Sequence, residues 1–210
     1  MEVSKNIPNY MRFYIFLLLA FFSISTVQAQ TWNIETGNNL TRYLFTNSAG
    51  FNPSYMKSAS GLHLAVSREN KLSRVFVYDV GLAYNQYNNV GDVQSIPFSY
   101  QADYMGIAAG IGPSISWKKG LVFSAKVSGA LQTLINGNQF LQNHYVDLAN
   151  DDQFVGLKGF VGFTVSASKQ VNQQTALFIS FQHLDTVTFG NTTLNLIPST
   201  LSFGLKIATK

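Results

Sequence analysis

A chain of 210 residues suffices for one domain. Only 11% of it is charged against 46% hydrophobic, where a soluble domain carries about 25% charged residues, so it lacks the charge to cover a water-facing exterior. A net charge of +4 is too slight for a nucleic-acid surface, and the lack of cysteine rules out a disulfide frame or a thiolate metal site.

At the start, Lys5 and Arg12 precede the apolar run 13–24, and Val27-Gln28-Ala29 supplies small residues before a cut between Ala29 and Gln30. This is the three-part plan of a secretory signal peptide, so the mature chain is expected to begin near Gln30 in the periplasm. Beyond it no apolar run approaches the ~20 residues of a membrane-spanning helix. The expected division is a leader over 1–29, a periplasmic segment with a first strand over 30–57, and a barrel over 58–210.

Residues 31–46 pattern poorly. Trp32, Ile34, Leu40, Tyr43, Leu44 and Phe45 suit either a first strand or a segment plugging the barrel's lower end. Residues 47–60 read as a loop, with Gly50 and Asn52-Pro53 as breakers. Residues 61–69 alternate, Leu62, Leu64 and Val66 against His63, Ala65 and Ser67, and period-two alternation puts the two sets on opposite faces of a sheet. Residues 74–89 alternate most clearly, Phe76, Tyr78, Val80, Leu82 and Tyr84 against Asp79, Gly81, Ala83 and Asn85, and 88–94 read as a loop. In 96–117 the apolar set slips from even (Ile96, Phe98, Tyr100, Tyr104) to odd (Ile107, Ile111, Ile115, Trp117), which predicts a β-bulge near Met105-Gly106. Pro97 and Pro113 cannot donate to a ladder and belong at ends or irregularities. After the tight turn 118–120, a strand covers 121–135 and a long break covers 137–153. The hairpin 154–181 turns at 169–174, 185–199 is a loop, and 200–208 close the chain.

Short turns thus interleave with longer loops, the asymmetry of outer-membrane barrels. The reading is all-β: an eight-stranded antiparallel transmembrane β-barrel with short periplasmic turns, longer extracellular loops and both termini in the periplasm. Lys71, Lys118, Lys119 and Lys169 mark the turn side, and Asp92, Asp147, Asp151 and Asp152 the loop side. The polar set is mostly Gly, Ala, Ser, Asn and Thr, which suits a crowded lumen better than a water-facing exterior. Tyr78, Tyr84, Tyr87, Tyr100, Tyr104 and Trp117 would form interfacial girdles in lipid. An eight-stranded lumen is filled by side chains. His63, Asp79, Asp103, Lys126, Lys158 and Lys206 are expected there as a paired polar network, because buried charges must pair. No pore is expected.

No constellation carries chemistry. His63, His144 and His183 lack metal-ligand spacing, no cofactor is expected, and His144 with the acidic stretch 147–152 reads as a solvated loop. The expectation is a non-enzymatic barrel in the bacterial outer membrane, in contact with lipid and another outer-membrane or periplasmic protein.

Two resemblances sharpen this. Gly61-Leu62-His63-Leu64-Ala65-Val66, Val80-Gly81-Leu82-Ala83-Tyr84-Asn85-Gln86, Tyr104-Met105-Gly106-Ile107 and the closing Leu201-Ser202-Phe203-Gly204-Leu205-Lys206-Ile207 resemble the outer-membrane β-barrel family that includes the PorT-like proteins. Upstream, Tyr43-Leu44-Phe45 and Phe51-Asn52-Pro53-Ser54-Tyr55, followed by Ser58 and Gly61, resemble the start of the PorP/SprF family of type IX secretion and gliding proteins. Met56-Lys57 replaces that family's Ala-Gly. The resemblances imply a non-enzymatic component of bacteria with type IX secretion, and Phe51, Asn52, Pro53 and Tyr55 as a partner-binding segment.

Overall fold

The computed structural model describes residues 30–45, 56–93, 96–142, 144–187 and 194–209. The leader with Ala29, and the segment with Phe51, Asn52, Pro53 and Tyr55, lie outside the described residues. No helix among the described residues is long and apolar enough to cross a membrane.

Nine strands form among the described residues: β1 (Gln30–Phe45), β2 (Met56–Lys71), β3 (Phe76–Val93), β4 (Ile96–Ser116), β5 (Leu121–Leu141), β6 (His144–Asp147), β7 (Leu157–Gln170), β8 (Thr175–Val187) and β9 (Leu194–Thr209). Every pairing is antiparallel. β1 pairs with both β2 and β9, and β4 with β5, so eight strands close into a ring while β6 adds to β5 outside it. Gln30–Phe45 is therefore a ring strand rather than a plug. Gln30 pairs with Thr209, which puts the two described ends at one end of the barrel with the three short turns (the turn end). The other ends of the ring strands lie at the opposite, loop end.

Parity sets the faces. On β3, Leu82 is 62% exposed while its neighbour Ala83 is buried. On β5, Val127 faces out at 64% beside buried Ser128. The outward apolar band covers residues 76–84 of β3 and 105–115 of β4, close to the ~9–11 residues that a tilted strand needs to cross a bilayer. Beyond it the outward positions turn polar, with Gln86 on β3, Asn136 on β5, and His183 on β8 bonded to Ser199 of β9 at 2.9 Å.

Three sequence expectations change. The first concerns the bulge. β4 keeps one phase throughout, and the register shift is taken up by β5, where Asp103 pairs with Asn136 but Tyr104 with Leu134, leaving Ile135 extra. The apolar slip in β4 has another cause: its even residues point inward everywhere, and near the loop end those inward residues are aromatic. The second concerns loop length. Residues 88–93 and 137–141 are strand, because β3 and β4 pair out to Val93 and Ile96 and β5 gains β6. The third is the girdle. Tyr87 and Tyr104 are buried inside the barrel and Tyr100 packs against the same buried cluster, while Tyr78, Tyr84 and Trp117 do lie on the outward face or at the turn end.

Candidate functional site

The lumen holds two layers of different chemistry. The layer toward the turn end is built on Glu69, an inward residue near the turn end of β2. Its Oε2 accepts from Lys126 Nζ at 2.6 Å and from Lys206 Nζ at 3.0 Å, and Lys126 also donates to Asp79 Oδ2. Two carboxylates face two ammonium groups, each side chain less than a fifth exposed, so the cluster carries no net formal charge. That balance is what burial of ions demands.

One step up, the β1 residue Glu35 accepts from Ser202 Oγ at 2.7 Å and Ser180 Oγ at 3.2 Å, and lies 3.6 Å from His63 Nε2. Asn85 Oδ1 faces His63 Nδ1 at 2.7 Å and accepts from Asn39 Nδ2 at 3.0 Å. Both ring nitrogens of His63 thus face acceptors. Serine ladders across neighbouring strands, Ser124 with Ser166 and Ser128 with Thr164, both at 2.7 Å, line the rest. Between these groups lies a cavity of about 80 Å3, large enough to admit water.

The layer toward the loop end is aromatic. Tyr87 packs on Tyr104 at 5.5 Å and on Phe160 at 5.6 Å between ring centroids. Phe154, from the connection after β6, enters the mouth and stacks on Tyr100 at 5.6 Å with 18° between planes. Tyr104 Oη donates to the Phe154 carbonyl at 2.7 Å, and Lys158 Nζ to the Gln153 carbonyl at 2.6 Å. Leu148, from the same connection, is also buried. Gly156 carries φ +95°, a left-handed backbone that glycine adopts without strain, and it turns the chain from this cap into β7.

Of the six residues expected in one lumenal network, Asp79 pairs with Lys126, which Glu69 joins to Lys206. His63 belongs to the separate Glu35 group, and Lys158 sits apart at the cap. Asp103 does not face the lumen. It lies between the inward residues Ala102 and Tyr104, so its side chain is outward, where Asn136 donates to it at 3.2 Å and neighbours leave it 6% exposed. Gln30, expected just after the leader's cut, opens β1. Sequence reasoning missed Glu35 and Glu69, although both share the parity of the inward residues on their strands.

Ser180 and Ser202 donate to the Glu35 carboxylate rather than to a ring nitrogen of His63. In the connection, Asp147 accepts from the Ala149 amide and Asp151 from the Gln153 amide, at 2.8 and 2.9 Å, which holds turns. Among the described residues no three His, Asp or Glu side chains gather to bind a metal.

No protein-family model matches the sequence, and no curated protein matches it. Solved structures do. Neisserial surface protein A (NspA) is 14% identical, with 84% of this chain and 96% of that one covered at a TM-score of 0.50. OprG from Pseudomonas aeruginosa is 8% identical over 86% and 96% at 0.46, and Ail of Yersinia pestis is 6% identical over 86% and 100% at 0.38. At such identities the likeness concerns the fold alone, and the chain has the fold of the eight-stranded antiparallel outer-membrane β-barrels.

Proposed function

We propose that this protein is a non-enzymatic β-barrel of the bacterial outer membrane that serves as a structural or accessory subunit of a larger outer-membrane complex. The observation that carries the reading is the combination of an apolar outer band with a lumen filled at two levels, by paired charges and by stacked aromatics. A barrel so closed neither conducts nor encloses a reactive group in reach of substrate, so its work falls to its surfaces. Type IX secretion or gliding is the setting implied by the resemblance of residues 43–61 to the PorP/SprF proteins, and the leader over 1–29 would deliver the chain by the Sec route. In this reading Phe51, Asn52, Pro53 and Tyr55 engage the partner.

The alternative is an autonomous barrel that steadies the envelope or binds a ligand outside the cell. The continuation of β3, β4 and β5 beyond the apolar band, with β6 added, favours it by offering a raised sheet at the loop end.

Purification of the tagged protein from native membranes in mild detergent, with mass spectrometry of what accompanies it, tests the choice. Stoichiometric recovery of secretion or gliding components is the outcome expected. A lone, heat-modifiable barrel from the outer-membrane fraction would favour the alternative, and recovery from the soluble periplasm would overturn both.

A further inference from the structure

The turn end carries a surface that the lumen does not explain. Its three short turns each present a cation beside an exposed apolar side chain. Lys71 and Arg74 flank Leu72, Lys118 and Lys119 follow Trp117, and Lys169 precedes Val171. Leu72, Trp117 and Val171 are 62%, 65% and 61% exposed. Arg68 adds a sixth cation on the outward face of β2, paired in register with outward Trp32 of β1.

Among the described residues, none of these six cations has a carboxylate within ion-pair distance. The nearby acids Glu69 and Asp79 point into the lumen and are already matched by Lys126 and Lys206. At the loop end the exposed acids Asp92, Asp147, Asp152 and Asp185 outnumber the exposed cations Arg42 and Lys57 among the described residues. The molecule is therefore polar along its axis, with an unneutralised positive rim just beyond the apolar band.

We propose that this rim is a binding collar for anionic phospholipid headgroups in the leaflet at the turn end. Cations alternating with large apolar groups at one level match a bilayer's headgroup boundary, where apolar side chains reach the acyl region and Lys and Arg meet phosphates. A folded acidic protein would need carboxylates spaced to three separate turns. The turns follow one another around the barrel's end, with Lys169 Nζ donating to the Lys119 carbonyl between two of them. Lipids that diffuse independently can meet each turn without a rigid surface having to match all three. The proposal rests on the barrel standing in a bilayer, as proposed above.

Both tryptophans of the chain, Trp32 and Trp117, lie at this end, so intrinsic fluorescence reports on the collar alone. The mature protein would be refolded into phosphatidylcholine vesicles containing either brominated phosphatidylglycerol or brominated phosphatidylcholine, and quenching titrated. Phosphatidylglycerol should bind about fivefold more tightly, the preference should fall in 0.5 M salt, and it should approach unity in the variant K71Q/R74Q/K118Q/K119Q. Should that variant fail to refold, the salt series on the unaltered chain decides alone. Equal quenching by the two lipids, or a preference indifferent to salt, would overturn the collar but leave the membrane reading intact. No quenching by either lipid would overturn both.

Discussion

Lys126 reaches Glu69 and Asp79 at once, with only 8% of its side chain exposed. Lys126→Met would leave two carboxylates facing Lys206 alone, and breaking a buried pair in this way costs about 3–5 kcal/mol. Urea unfolding in detergent, followed by tryptophan fluorescence, should show that loss. A cost below about 1 kcal/mol would mean that water reaches the cluster freely. Glu69→Gln should be similarly harmful, because Glu69 joins both lysines. Phe154→Ala acts in the other layer. It empties a site walled by Tyr43 and Tyr100 at 6.0 and 5.6 Å, for an expected loss of about 3 kcal/mol and faster proteolysis of residues 142–156. Unchanged proteolysis would show that the cap is held by Leu148 and the hydrogen bonds instead.

At the level of the strands, the outward band makes a depth-dependent prediction. Val127, far from either end of β5, should resist charge: Val127→Arg is expected to cost about 2–4 kcal/mol in a bilayer. Ile135→Arg, at the edge where β5 turns polar, should cost about 0–1 kcal/mol. Equal costs measured by reversible unfolding in vesicles would count against the band as placed. The inward aromatics of β4, not the Ile135 irregularity of β5, explain the false slip of phase in the sequence. Phe98, Tyr100 and Tyr104 have the parity of lumenal residues and the chemistry of lipid-facing ones, so alternation of hydrophobicity alone reports a slip that the backbone does not make.

For the whole molecule, orientation and closure are both measurable. The chain has no cysteine, so a single introduced thiol is a clean probe. With short turns in the periplasm, Asp152→Cys should react in intact cells with a membrane-impermeant maleimide and Lys119→Cys should not. The reverse pattern would invert the barrel. Purified protein in planar bilayers should show no discrete conductance, because ions would have to cross both the charge cluster and the aromatic layer. Steady channel openings would refute the filled lumen.

Alternation along single strands was enough to reveal the all-β class, the lipid-facing set such as Leu62, Leu64, Val66 and Leu82, and inward positions such as His63, Asp79, Lys126 and Lys206. Those properties are local, since adjacent side chains of any strand point to opposite faces. Which inward groups meet was not legible. Glu35 meets His63 and Ser202 across sequence separations that only ring closure and register bridge, and Glu69 joins Lys126 to Lys206 for the same reason. The aromatic layer was hidden too, because a tyrosine at an inward position and one in a membrane girdle are the same letter. Only closure of the ring, which brings β1 against β9 and folds Phe154 into the mouth, gives those side chains an interior to fill.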